Sequence, residues 1–128
     1  MKKAVVYQPD EGKFFLLSGL FRGQEIEVIR IGRKDADTKL SALFGLTART
    51  KEEPKEKAPL LYELPALTVL FGLRSEELDA FLSEKKRLGI RNTGLLSIAT
   101  PTNISWTPYE LSKELLLEQQ EIERQLKK

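Results

Sequence analysis

Thr100-Pro101-Thr102-Asn103-Ile104-Ser105-Trp106 is the stretch whose residue types best suit recognition of a ligand. The hydroxyls of Thr100 and Thr102 and the amide of Asn103 can donate and accept hydrogen bonds, and Trp106 offers a flat apolar surface. The same groups can instead satisfy the backbone of a tight turn, the commoner use of Thr and Asn beside proline. Asp10, Arg74 and Ser75 are the other polar residues that fall just after apolar runs. If the strands they follow are parallel, all of these loops gather at one carboxyl edge, where open α/β sheets bind ligands. The expected ligand-binding set is therefore Asp10, Arg74, Ser75, Thr100, Thr102, Asn103 and Trp106, and the ligand class a small polar or anionic molecule, with Arg33, Lys34 and Arg74 near helix N-termini that favour anions.

Catalysis has less to work with. The chain contains no Cys and no His, which removes thiol nucleophiles, Ser-His-Asp triads and the usual zinc sites. An enzyme would need Asp10 or Asp35 acting with a lysine or a divalent metal. Asp10-Glu11 and Asp35-Ala36-Asp37 suit magnesium by type, but helix capping accounts for these carboxylates more simply. Gly72-Leu73-Arg74-Ser75 is neither of the glycine-rich phosphate-binding patterns. Gly72 also ends the third apolar run, where a response-regulator receiver would carry its phosphoacceptor aspartate. No catalytic residue, metal site or cofactor is expected, and the reading leans away from an enzyme.

The elements that must position these residues alternate regularly. Residues 4–7 read as a short buried strand, and 11–22 as a helix through Phe14, Leu17 and Phe21, with Gly23 as its stop. Residues 24–31, with Ile26, Val28, Ile29 and Ile31, read as a strand with one wet face. A short helix follows with Leu40, Leu43 and Phe44, capped by Asp35 or Asp37 and ended by Gly45. Residues 47–65 are charged and proline-containing, a linker from which Leu60, Leu61, Tyr62 and Leu64 could dock back on the body. Residues 66–71 form the clearest strand. Ser75 then caps a helix with Leu78, Phe81, Leu82 and Leu88 on its stripe, up to Gly89. A strand at 95–99 completes the set.

The last helix is the most firmly specified. Thr107 is its N-cap, Pro108 fills the first position, Glu110 completes a capping box, and Trp106 can staple onto Leu111. Leu111, Leu115, Ile122 and Leu126 stay on one face, so the far end of this helix is a candidate surface for homodimer formation. All six phenylalanines, Phe15 included, fall in apolar settings that read as core.

The pattern is β-α-β-α stated twice. It predicts an α/β fold in one domain over 1–128, with a four-stranded, mainly parallel sheet in the order 2-1-3-4 and four helices, and residues 47–65 as the linker between the halves. At 128 residues a single core suffices. With 21 basic and 19 acidic residues interspersed, nothing in the charge calls for nucleic acid. Lys2 and Lys3 precede too short an apolar run for a signal peptide, and no stretch reaches the roughly 18 apolar residues of a spanning helix, so a cytoplasmic setting without membrane contact is expected.

Gly72, Glu77, Leu78, Phe81, Leu82 and Gly89, then Thr100, Thr102, Asn103, Trp106, Thr107, Leu111, Glu114 and Leu115, carry a resemblance over residues 72–117 to the family catalogued as domain of unknown function 3783. The run Thr-Pro-Thr-Asn followed by Trp-Thr is its most specific part. The resemblance implies a small bacterial cytoplasmic protein and brings no activity or catalytic residue. The expected function is a non-catalytic module that binds a small ligand or a protein partner; the alternatives are a small carboxylate-and-metal enzyme and a weak nucleic-acid binder.

Overall fold

The computed structural model describes residues 1–48 and 56–126. Strand β1 (Lys3–Tyr7) enters helix α1 (Glu11–Gly23), which returns the chain to β2 (Glu27–Arg30). A 3₁₀ turn at Arg33–Asp35 leads to the single-turn helix α2 (Leu40–Leu43). The second half repeats the order: β3 (Leu67–Phe71), α3 (Ser75–Arg87), β4 (Leu95–Ile98), a 3₁₀ turn at Asn103–Ser105 and α4 (Pro108–Leu126).

The strands lie in the expected order β2-β1-β3-β4, but the sheet is mixed. β1 pairs parallel to β2, and β3 parallel to β4, whereas β1 and β3 run antiparallel with Val5 opposite Val69. The expectation of a mainly parallel sheet is corrected here. Each half is a parallel unit closed by its own crossover helix, and the halves meet head to tail at the centre. β1 and β3 are five residues each and α1 and α3 thirteen each, so the halves are related by an approximate two-fold axis through the middle of the sheet.

Period-two alternation along β1 and β3 feeds two cores. Ala4, Val6 and Leu70 point to one face, where α1 and α3 cover them with Leu17, Leu20, Phe21 and Phe81. Val5, Leu67 and Val69 point to the other, under Leu40, Leu43 and Phe44 of the α2 region and Leu111 of α4. The result is three layers, helices on both faces of one sheet. A third, smaller cluster joins Ala36, Leu64 and Tyr109, with Tyr62 and Ala58 against it.

The described part of the expected linker is fastened to the body. Arg33 donates to the carbonyls of Tyr62 and Pro59, Ala58 N–H donates to Asp37 Oδ1 at 2.8 Å, and the Tyr62 hydroxyl lies 2.8 Å from Ser112 Oγ. Tyr62 and Leu64 dock as expected, while Leu60 and Leu61 stand in solvent at the turn. The linker reading of 49–55 lies outside the described residues.

Candidate functional site

The antiparallel centre of the sheet divides the expected ligand set. Asp10 follows the end of β1 at which β3 begins, and Arg74 follows the end of β3 at which β1 begins. The two residues occupy equivalent places in the two halves, so the two-fold relation sends them to opposite ends of the sheet. Arg74, Ser75 and the Thr100–Asn103 turn share one end, because β4 runs parallel to β3. Asp10 does not join them.

Most of these residues have structural work; among the described residues the side chains of Ser75 and Thr102 make no hydrogen bond of that kind. Asp10 is the N-cap of α1, its Oδ1 accepting the Lys13 N–H at 3.0 Å. At α3 the cap position is Arg74, not Ser75, which is the first helical residue. Glu77 reaches back to accept the Arg74 backbone N–H at 2.9 Å. Asp35 accepts the Gly32 N–H and Asp37 that of Ala58, so neither caps α2, whose N-cap is Lys39.

The Thr100–Trp106 stretch is a self-satisfied turn. Asn103 is buried; its Oδ1 accepts the Thr100 N–H at 2.8 Å and its own N–H donates to Thr100 Oγ1 at 3.0 Å. Its Nδ2 donates to the Ile98 carbonyl at 3.0 Å, tying the turn to the end of β4. Thr102 is exposed, and Trp106 packs partly buried in the core under α4 while its carbonyl accepts the Leu40 N–H at 2.8 Å. The capping box forms as read: Glu110 N–H donates to Thr107 Oγ1 at 3.2 Å and Thr107 N–H to Glu110 Oε1 at 3.0 Å.

A hollow of about 320 Å³ beside Trp106 is lined by Glu56, Glu110, Lys113, Glu114 and Leu117. Two larger surface features lie elsewhere. One is an open hollow of about 560 Å³ at the Arg74 end, lined mostly by charged residues: Met1, Lys2, Glu25, Glu27, Gly72, Arg74 and Glu77. Glu77 there accepts from the Arg74 backbone and pairs with Lys2 at 2.9 Å; these bonds hold its carboxyl well below the ordinary 4.5, at about 2. Among the described residues no group of three or more Asp and Glu is arranged to hold a metal ion.

The other feature is a groove of about 550 Å³ between α1 and α3, lined by Phe15, Leu16, Gly19, Leu20, Gly23, Gln24, Glu84, Leu88 and Ile90. Phe15 is 77% exposed and Leu16 and Leu88 50% each, which corrects the expectation that Phe15 is core. The reason is helical geometry: successive residues are turned by about 100°, so Phe14-Phe15-Leu16-Leu17 cannot all face the sheet. That run of four apolar residues was the available signal. A Cβ added at Gly19 or Gly23 would meet nothing within 4 Å, so at these two positions the wall of the groove is bare helix backbone.

Fold and site together define a three-layer α/β domain with an open apolar groove on one helical layer. Residues 67–122, from β3 through most of α4, match the family described as Domain of unknown function (DUF3783). No curated protein and no solved structure matches the chain.

Proposed function

We propose that the protein is a non-catalytic interaction module whose α1–α3 groove receives an amphipathic helical segment of a partner protein. The supporting observation is the groove itself, in which Phe15, Leu16 and Leu88 stand open beside the bare backbone of Gly19 and Gly23. Burying a large apolar side chain stabilises a complex by roughly 1.5–3 kcal/mol, and a helix lays such residues into a groove at i, i+3, i+4 and i+7. Gly19 and Gly23 let the partner backbone come close. The charged residue lining the groove, Glu84, is paired with Arg87, and the last turns of α1 and α3 are basic, with Arg22, Lys85 and Lys86, which favours carboxylates near these helix ends. The small-ligand reading has weaker support, because Asp10 lies apart from the other residues and the polar groups of Thr100 and Asn103 are engaged in their own turn. A bacterial cytoplasmic setting belongs to the same reading and rests on the family resemblance.

The test is a titration of isotopically labelled protein with a synthetic amphipathic helix carrying leucines at that spacing and glutamates beside them. Amide shifts should concentrate at Gly19, Gly23 and Leu88, and Gly19→Arg should abolish them. This variant fills open space and replaces a mid-helix glycine, so the fold should tolerate it. Shifts centred on Thr100–Asn103, or an undiminished response of the variant, would overturn the proposal.

A further inference from the structure

The two edges of the sheet are built differently, although β2 and β4 hold equivalent places in the two halves. β2 begins and ends on charge, Glu27 and Arg30. Arg30 folds over Phe14, its guanidinium 4.0 Å from the ring centroid, and pairs with Glu11 at 2.6 Å. Val28 packs into the core beneath α1. β4 is Leu95-Leu96-Ser97-Ile98, without a charge. Leu95 and Ala99 pack on the α4 side, so alternation turns Leu96 and Ile98 to the α3 side. There they remain 39% and 44% exposed, and Leu82 of α3 is 41% exposed.

The backbone of β4 is open as well. Leu95 N–H donates to Ala66 O and Ala99 N–H to Leu70 O, both at 2.8 Å, which sets the odd-numbered residues toward β3. In such a ladder the N–H groups of Leu96 and Ile98 and the carbonyl of Leu96 point outward. Asn103 covers only the Ile98 carbonyl, and that oxygen keeps a second lone pair. Edge strands are ordinarily blunted by charge, proline, a bulge or a cover, and β2 follows that rule where β4 does not.

We infer that β4 is a self-association edge, across which two copies of the chain pair antiparallel about a two-fold axis perpendicular to the sheet. That axis keeps the same face of both sheets on the same side, so Leu96 and Ile98 of each copy meet those of the other. The row is uncharged and self-complementary, which is what an isologous contact requires. The pairing joins two four-stranded sheets into one. The strand is short, so the dimer forms and dissociates with concentration.

Sedimentation over a dilution series, with amide exchange followed on the same samples, tests this. The mass should rise from 14.6 kDa toward twice that value as concentration increases. The Leu96 and Ile98 amides should become protected in parallel, whereas Ser97, already bonded to β3, should not change. Leu96→Lys places a charge at an exposed position and should hold the chain at the monomer mass at every concentration. Gly19→Arg should leave the dimer intact, so the groove and the edge fail separately. A monomer mass throughout, a dimer retained by Leu96→Lys, or exchange at Leu96 and Ile98 that ignores concentration would overturn the inference.

Discussion

Glu25 stands where α1 calls for glycine. The helix ends in a paired closure, with Ile26 N–H donating to Phe21 O at 2.9 Å and Glu25 N–H to Arg22 O at 3.1 Å, and this requires the left-handed φ of 59° at Glu25. α3 closes in the same way on Gly89, at φ 69°. A non-glycine residue in that region costs roughly 1–2 kcal/mol, partly offset by the extra freedom glycine gives the unfolded chain. Glu25→Gly should therefore stabilise the protein by about 0.5–1 kcal/mol, seen as a higher denaturant midpoint; an unchanged or lower midpoint would contradict this account of the closure. Glu77 makes a prediction in pH. Its carboxyl is depressed to about 2 by the Arg74 backbone N–H first and Lys2 second. A depressed folded-state pKa contributes stability that is complete above the ordinary 4.5 and is lost as pH falls through about 2. Glu77→Gln should thus be less stable than the parent at neutral pH, and the gap in thermal midpoint should close as pH is lowered toward 2. A gap that persists at the acid end would mean the charge is not what stabilises this cap.

At the scale of elements, what the sequence made legible was whatever a few neighbouring residues decide. The capping box at Thr107 and Glu110 and the stops at Gly45 and Gly89 depend on local backbone chemistry, and each appears where it was read. Gly23 was read as the stop of α1 but is its last helical residue, and the left-handed closure falls two residues later, with Glu25 in a glycine's place. That closure occupies Gln24 to Ile26, so β2 starts only at Glu27. The direction of β3 against β1 was not legible, since no periodicity within a strand records which way its neighbour from the other half runs. The candidate ligand set inherited that error: Asp10 and Arg74 were each read at the correct end of a strand, and only the relation between the strands was wrong. The turn made by Thr100 and Asn103 was visible in residue type. The groove was not, because it exists only where two helices far apart in sequence lie side by side, and Phe15 and Leu88 lie on different halves.

At the scale of the whole molecule, the two-fold arrangement makes each half depend on the other. The central strands serve both cores, Val6 and Leu70 on one face and Val5 and Val69 on the other. On the first face the helices meet at Phe21 and Phe81, stacked with centroids 4.9 Å apart and planes 3° from parallel, one ring from each half. Trp106, the only tryptophan, belongs to the opposite face. Loosening the Phe21–Phe81 contact should therefore reach Trp106 through the strands, not through any direct contact. Phe81→Leu removes the ring stack while keeping an apolar side chain of similar volume, at a cost of about 1–2 kcal/mol. For a domain of this size that is a fall of several degrees in the thermal midpoint. Helix content followed by circular dichroism and Trp106 fluorescence should shift by the same amount and trace one transition, because neither half has a core that closes without β1 and β3 paired. If the fluorescence transition stayed at the parent midpoint while the circular dichroism moved, the halves would be separate folding units and the antiparallel centre a joint between them.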